Sequence, residues 1–375
     1  MKSARALALE AMLRIEDGAY ANLVVPQLLA SSGLEERDRA FVTELVYGTT
    51  RMRRPCDWLI DQRVQPKGRT LDAPVRAALR LGTYQLVFLD TPPHAAVSQM
   101  VDLVDPAARG FVNAILRKVS VAHRPIQWPN LATELSYPDW IVERLTRDLG
   151  ADAARAAMTI MNEPPTVTER PDGYIQDEAS QWVAAYVDAQ PGDLVGDLCA
   201  APGGKSTLMA EAGACVIAGD LQTHRAALVA GNARRLRLTN VDTVVADGQR
   251  PPFRDGSFDR ILIDAPCSGL GVLRRRPDAR WRMTPDDVTE LSVLQRRLLD
   301  AAVPLLKPGG RLVYSVCTLT SGETAGIDNW LADKHPELKP IPPPGEPWQR
   351  VGRGSRLLPQ TANTDGMFVV GLRRT

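Results

Sequence analysis

Apolar residues recur at helical spacing through residues 1–120. Val97, Met100, Val101 and Val104 stand at i, i+3, i+4 and i+7, and Val112, Ile115, Leu116 and Val119 repeat the pattern. Val75, Ala78, Leu79 and Leu86 mark a further stripe. Stripes of this kind turn one face of each helix toward a core. Strand-like alternation is nearly absent, so an all-α domain is predicted over 1–122, broken by turns such as Thr91-Pro92-Pro93. Pro125, Pro129 and Pro138 then punctuate a connector assigned to 123–173. It holds a helical stretch near 139–161 that Asn162-Glu163-Pro164-Pro165 ends.

From Tyr174 onward the pattern changes. Tyr174-Ile175-Gln176-Asp177 leads into a helix at about 177–187. Beyond Pro191-Gly192, short apolar runs alternate with helical segments: Leu194–Cys199, Cys215–Gly219, Val241–Val245, Ile261–Ile263, Leu312–Val316 and Phe368–Leu372. Alternation of this kind builds βαβ units, a mostly parallel sheet with helices on both faces. The second domain is therefore α/β and spans 174–375. Ligands of such sheets bind beyond the carboxyl ends of the strands, so strand-end residues are the chemical candidates.

Composition narrows the class. The 375 residues are enough for two or three domains. With 44% hydrophobic and 24% charged residues, each domain can bury a full core. No apolar run is long enough to span a membrane, and Arg5, Glu10 and Arg14 interrupt any secretory leader; a cytoplasmic location and a monomer are expected. Five widely spaced cysteines (Cys56, Cys199, Cys215, Cys267, Cys317) without a C-x-x-C pair argue against zinc and against a disulfide framework. The four histidines show no metal-ligand spacing, and structural roles are expected of them, so no metal is expected. A net charge of +1 does not reveal a nucleic-acid partner; only local patches can.

The run Asp197-Leu-Cys199-Ala200-Ala201-Pro202-Gly203-Gly204-Lys205 follows a strand and opens a helix. Paired glycines let backbone approach a ligand closely, and the helix start offers unpaired N–H groups to an anion. Asp220, at the end of the next strand, can accept from both hydroxyls of a ribose. Asp247, after the third strand, can receive an adenine amino group. Together they describe a nucleoside cofactor across the strand ends. The plainer alternative is a strand–helix turn with capping aspartates; the positions of Asp220 and Asp247 weigh against it. The G-x-G-x-x-G fingerprint of dinucleotide sites is missing.

Asp264-Ala265-Pro266-Cys267-Ser268-Gly269 follows the fourth strand, and Cys317 follows the fifth. If these strands are neighbours, their ends lie about 5 Å apart, and both thiols face one pocket. Most buried cysteines are small hydrophobes, the role expected of Cys56 and Cys215. Two thiols at strand ends beside a carboxylate suit a different purpose. Carbon 5 of cytosine is a poor nucleophile, but a thiolate added to carbon 6 makes it enamine-like and able to attack a sulfonium methyl. Asp264 is placed to stabilise charge developing on the ring. This chemistry alone does not choose which thiol attacks.

Directly after the Cys267 loop, Leu273–Arg282 carries five arginines and one aspartate. Arg274, Arg275, Arg276, Arg280 and Arg282 are expected to contact nucleic-acid phosphates, and Trp281 to stack on an exposed base. The alternative is a solvated basic loop with Trp281 packed inward. Arg51, Arg53 and Arg54 form a weaker second patch, and Thr284-Pro285-Asp286-Asp287 reads as a helix start.

These residues resemble the Nop/Sun family of RNA cytosine-5 methyltransferases, most closely its RsmB-type members, over most of the chain. Asp197–Lys205 looks like the family's cofactor motif, Asp264–Gly269 its fourth motif, Ser315–Thr318 the strand bearing the attacking thiol, and Asp365-Gly-Met-Phe368 the closing strand. Glu36–Arg39, Gly48–Arg51 and Gly110–Arg117 resemble its NusB-like RNA-binding domain. The resemblance implies a multidomain protein: an all-α NusB-like domain followed by a Rossmann-like, S-adenosylmethionine-dependent methyltransferase domain. It implies Cys317 as nucleophile, Cys267 in product release and Asp264 in positioning cytosine, with residues 199–205, Asp220, Asp247 and Asp264 around the cofactor. Small-subunit ribosomal RNA is the expected partner; transfer RNA or DNA as substrate, or a non-catalytic RNA-binding, antitermination-like role, are the alternatives. Three departures stand out. Val316 replaces a common Thr, Met367 replaces a common Phe, and Thr166–Gly173 is too short for the small mixed subdomain the family usually carries there.

Overall fold

A computed structural model describes residues 2–68, 70–122 and 125–375; His123 and Arg124, the first residues of the expected connector, lie outside that range, as does the structural role expected of His123. The chain divides into two compact units, Met1–Glu143 with Arg275–Arg282, and Arg144–Arg274 with Met283–Thr375. The expected connector is thus shared between them.

The first unit is helical: α1 (Ala4–Glu16), α2 (Ala21–Ala30), α3 (Glu36–Arg51), α4 (Arg53–Asp61), α5 (Ala73–Val87), α6 (Pro93–Asp102), α7 (Pro106–Ser120) and the short α8 (Leu131–Glu134). Proline stands in the first turn of α5, α6 and α7, where its missing N–H costs nothing. Leu79, Met100, Val112 and Leu116, all from the sequence stripes, are buried in one core. Gly82 has a packing reason to lack a side chain: a Cβ there would sit 2.7 Å from Leu116. Arg80, nearly buried, is matched by Glu16 at 2.6 Å and Asp57 at 2.7 Å. Residues 130–139 belong to this unit because Arg54 donates to Thr133, to the Tyr137 carbonyl and to Asp139.

In the second unit, α9 (Asp139–Leu149), within which the division falls, and α10 (Ala151–Ile160) precede α11 (Glu178–Val187). The sheet follows. Its strands are β1 (Leu194–Asp197), β2 (Cys215–Asp220), β3 (Val241–Val245), β4 (Phe258–Asp264), β5 (Leu306–Val316), β6 (Leu338–Pro340), β7 (Gln349–Val351), β8 (Gly354–Leu357) and β9 (Met367–Arg374). Their order is β3-β2-β1-β4-β5-β9-β8-β7, with β6 also on β9. The first five are parallel and the rest antiparallel. Between strands lie α12 (Gly204–Glu211), α13 (Thr223–Arg235), α14 (Pro285–Ala302) and α15 (Ala325–Lys334).

Strand alternation builds two cores, one per face. Ile261, Ile263, Leu312, Tyr314, Phe368 and Val370 join Leu298, Leu299, Ile327 and Leu331 on one side. Leu262, Val313 and Val369 join Val183, Met209 and Val229 on the other. Val316 and Met367, two of the departures noted above, are both buried in these cores, where a methyl or a thioether packs without needing a hydrogen-bond partner. The shortened Thr166–Gly173 segment makes a single bridge, Glu169 to Ile175.

Candidate active site

The chemistry gathers where the parallel strands end. β1 lies between β2 and β4, so its loop meets the ends of both: Ala200 N–H donates to the Gly219 carbonyl at 2.9 Å and Leu198 N–H to the Leu262 carbonyl at 3.2 Å. Gly203 adopts φ +105°, a conformation that favours glycine, and α12 begins at the next residue. Gly204 faces Tyr174 and Gln176 so closely that a Cβ would lie 3.1 Å from each. A cavity of 130 Å³ opens there, lined by Tyr174, Gln176, Ser180, Asp197, residues 199–202, Gly204, Lys205 and Asp264.

Asp197 and Asp264 line it, while Asp220 ends the neighbouring β2 and Asp247 follows β3. Asp197 is buried; its Oδ2 accepts from Ser206 at 2.7 Å, while its Oδ1 has no hydrogen-bond partner. Burial, reinforced by the Asp264 charge and opposed by the Ser206 bond, raises its pKa to about 7. Asp220 accepts from Gln222 N–H at 3.2 Å and from Arg225 Nε at 3.1 Å, and Arg225 also reaches the Ala201 carbonyl. Ala246 N–H donates to the Asp220 carbonyl, which brings the end of β3 and Asp247 alongside. Asp247 accepts from Gln249 N–H at 2.9 Å. An unmatched buried oxygen, a glycine cradle and a carboxylate after each of the first three strands fit a nucleoside cofactor with an amino-acid tail. Tyr174, Gln176, Ser180 and Arg225 were not among the residues singled out from sequence. In sequence the Tyr174–Asp177 run reads only as a helix lead-in, because nothing local ties it to the loop residues that begin with Cys199, 22 residues after Asp177.

The two thiols meet. Asp264 pairs in register with Ser315 across β4 and β5, and Ala265 N–H donates to the Ser315 carbonyl at 2.9 Å. Cys267 Sγ and Cys317 Sγ are then 3.3 Å apart. Gly271 N–H donates to the Cys317 carbonyl at 3.0 Å, and a Cβ on Gly271 would lie only 2.1 Å from the Gly366 carbonyl oxygen, so only glycine fits between these loops. Lys205 Nζ donates to Asp264 Oδ2 at 2.6 Å. Burial alone would lower the Lys205 pKa, but Asp264, with a smaller contribution from Cys317, holds it above its ordinary value. The Cys267 thiol is pushed well up, first by its hydrogen bond with Cys317 and then by burial. The Cys199 thiol, half-buried, is pushed up as well, first by its removal from water and then by the charges of Asp197, Asp264 and Asp220. Among the described residues no group of side chains has the makings of a metal site, and no helix is long and apolar enough to cross a membrane.

Elsewhere the expectations need correcting. Cys56 is fully buried, but Cys215 is exposed at the start of β2. The basic run after Cys267 is largely folded into protein. Arg274 is buried, donating to Asn363 and to the Pro164 carbonyl. Arg280 is fully buried, 4.0 Å from the Tyr137 ring centre and bonded to the Ser136 carbonyl at 3.0 Å. Trp281 turns its indole N–H to the Thr50 carbonyl at 2.8 Å, and Arg282 donates to the carbonyls of Gly18 and Ala19. Arg275 is half-buried. Arg276 alone of the six is exposed. The cause is that guanidinium groups satisfy helix-end and turn carbonyls as readily as phosphates. In the second patch, Arg51 is buried and Arg54 is committed to residues 133–139.

Comparison with known proteins gives the family and the fold. Residues 184–373 match the family model of the 16S rRNA methyltransferase RsmB/F, and residues 2–121 that of the NusB family. A putative methyltransferase of Mycobacterium tuberculosis is 36% identical, with 95% of this chain and 93% of that one covered. The ribosomal RNA small subunit methyltransferase B of Thermus thermophilus is 35% identical over 99% of this chain and 97% of its own. In fold, the crystal structure of PH0851 superposes with a TM-score of 0.83 at 23% identity, covering 100% of this chain and 99% of that one. The chain therefore belongs to the RsmB/F family of 16S rRNA methyltransferases, with a NusB-family helical region in front of an S-adenosylmethionine-dependent methyltransferase domain.

Proposed function

We propose that the chain methylates carbon 5 of a cytosine in small-subunit ribosomal RNA through a covalent adduct between Cys317 and carbon 6. The observation that carries this reading is the meeting of two thiols, 3.3 Å apart, beside the Asp264 carboxylate. An enzyme that methylated an oxygen or an exocyclic nitrogen needs no thiol, because those atoms are nucleophilic already. Carbon 5 is not, and a sulfur bound to carbon 6 makes it so.

The chain's own residues divide the work as follows. Residues 199–205, Asp220, Asp247 and Asp264 hold S-adenosylmethionine, which supplies an electrophilic methyl group when bound. Cys317 Sγ bonds to carbon 6 and pushes the carbon 5–carbon 6 electron pair toward carbon 5. Lys205, tied to Asp264, stands in the same site as Cys317. Asp264, fixed by Lys205, faces the ring's polar edge. After methyl transfer, a water molecule takes the carbon 5 proton, the electrons of that carbon–hydrogen bond re-form the carbon 5–carbon 6 double bond, and the carbon 6–sulfur bond breaks with its pair returning to Cys317 Sγ. Cys267, held as a thiol beside Cys317, assists that release. The names of the relatives support ribosomal RNA as the substrate. RNA contact falls to the NusB-family region, with the exposed Arg276 as one phosphate partner.

The test is incubation of the full chain with S-adenosylmethionine and either small-subunit ribosomal RNA or transfer RNA, followed by bisulfite sequencing. One protected cytosine in the ribosomal RNA is expected. Methyl incorporation without any protected cytosine would overturn the carbon 5 assignment, and protection confined to transfer RNA would overturn the substrate.

A further inference from the structure

Glu323 belongs to none of the motifs read from the sequence. It ends the short turn Ser321–Glu323 and is fully buried. Its carboxylate is surrounded by donors. Ser268 N–H and Gln295 Nε2 reach Oε1 at 2.8 and 3.1 Å; the hydroxyls of Ser268, Thr320 and Thr318 reach Oε2 at 2.5, 2.8 and 3.2 Å. Two of these partners are chain neighbours of the thiols: Ser268 follows Cys267 and Thr318 follows Cys317. Their hydroxyls also lie 2.7 Å from each other. Gln295 donates to the Pro266 carbonyl as well, on the other side of Cys267. Tyr314, within β5, donates to the backbone carbonyl of Glu323 at 2.7 Å.

A carboxylate removed from water is costly unless donors surround it. Here the donors come from the loop after β4, from the loop after β5 and from α14. Shifting either thiol loop by an ångström would strand that charge, so the cluster rigidifies the joint between the loops. We propose that Glu323 is the positioning residue of the thiol pair, locking the Cys267 loop against the Cys317 loop so that both sulfur atoms reach one pyrimidine. The charge has a second effect. Glu323 adds to the influences that keep Cys267 in its thiol form, after the hydrogen bond with Cys317 and burial. Glu323 thereby helps to hold Cys267 as a thiol beside Cys317.

The proposal rests on the two-thiol reading above, and its test separates the two. Glu323→Gln in the full chain keeps the side-chain shape and removes the charge. Alkylation of each cysteine by iodoacetamide across pH, followed by peptide mass spectrometry, needs no RNA. The Cys267 profile is expected to move to lower pH. With small-subunit ribosomal RNA, kcat is expected to fall about a hundredfold, the loss that follows a misplacement of about 1 Å, while calorimetric binding of S-adenosylmethionine stays unchanged. A wild-type kcat together with an unmoved Cys267 profile would overturn the proposal. Should Glu323→Gln fail to melt cooperatively, Thr318→Val and Thr318→Ser decide. Thr318→Val breaks the link on the Cys317 side and is expected to lower kcat, and Thr318→Ser to restore it. Equal activity in both variants overturns the role of Glu323. Native protein that protects no cytosine would instead sink the proposed function, and the alkylation profile would still judge Glu323.

Discussion

Lys205 Nζ lies 2.6 Å from Asp264 Oδ2, so the cation that closes the cofactor loop is tied to the carboxylate at the end of β4. That pair is half of a charge arrangement in which Cys317 also takes part. Lys205→Met keeps the stem and removes the charge. Asp264 is left without its ion-pair partner, so cytosine methylation should fall by roughly 10- to 100-fold, the usual scale for a hydrogen bond to a charged group. Native methylation in Lys205→Met would separate the Lys205–Asp264 pair from the chemistry.

If Cys317 makes the adduct and Cys267 resolves it, removing each must give opposite results. Cys267→Ala should accumulate a protein–RNA species that survives denaturing electrophoresis. Cys317→Ala should form none and should transfer no methyl group. The reverse pattern on the gel would exchange the two roles while keeping the covalent chemistry, because both sulfurs lie within 3.3 Å of each other and geometry favours neither.

Asp220 tests the cofactor reading separately from the thiols. Its carboxylate is nearly buried and already accepts from Gln222 and Arg225. Asp220→Ala removes the acceptor proposed for the ribose hydroxyls. Calorimetry should show S-adenosylmethionine binding weakened by about 10- to 100-fold, the scale of a lost charged hydrogen bond. Iodoacetamide should label Cys317 at its native rate. Native affinity in this variant would remove Asp220 from the site.

What could be read beforehand followed from how local each signal was. The six strands with apolar runs were legible, because runs such as Ile261–Ile263 must be buried whatever lies beside them. β6, β7 and β8 were not: they are three or four residues long, carry Lys339, Arg350 and Arg356, and exist through backbone pairing with β9 or with each other. The α14 start was legible because Thr284 and Asp287 cap each other within four residues. The convergence of Cys267 and Cys317 needed one assumption, that β4 and β5 are neighbours, and they are. Glu323 was invisible, since its donors come from three separate segments. The arginines after Leu273 misled for a related reason. A basic run has the same sequence whether its guanidinium groups face solvent or, like Arg280, lie over a buried tyrosine.

That difference predicts a division of labour among those arginines. Arg280→Ala leaves a cavity over Tyr137 and an unmet Ser136 carbonyl, and should destabilise the helical unit by about 2–5 kcal/mol, the range for large-to-small changes in a core. Arg276→Ala removes an exposed charge. It should leave the melting temperature alone and weaken RNA binding, with the salt dependence of log K reduced by about one phosphate contact. Loss of RNA binding without loss of stability in Arg280→Ala would contradict the packing assigned to it.

Asp197 gives the stability of the second unit a pH dependence. Its carboxyl titrates at about 7 in the folded chain, because burial outweighs the Ser206 bond. The unfolded chain loses the same proton near the ordinary aspartate value of about 3.9. Between those values the folded form binds the extra proton, so folding weakens as pH rises through this window, and the full cost is present above about pH 7. Asp197→Asn carries no charge at any pH and keeps an acceptor for Ser206. Without cofactor, the variant should melt close to the native protein near pH 4. It should melt increasingly above it as pH climbs, and the gap should stop widening beyond about pH 7. Paired thermal unfolding curves at several pH values measure this directly. A gap that is constant from pH 4 to 8 would mean that Asp197 ionises alike in the folded and unfolded chains.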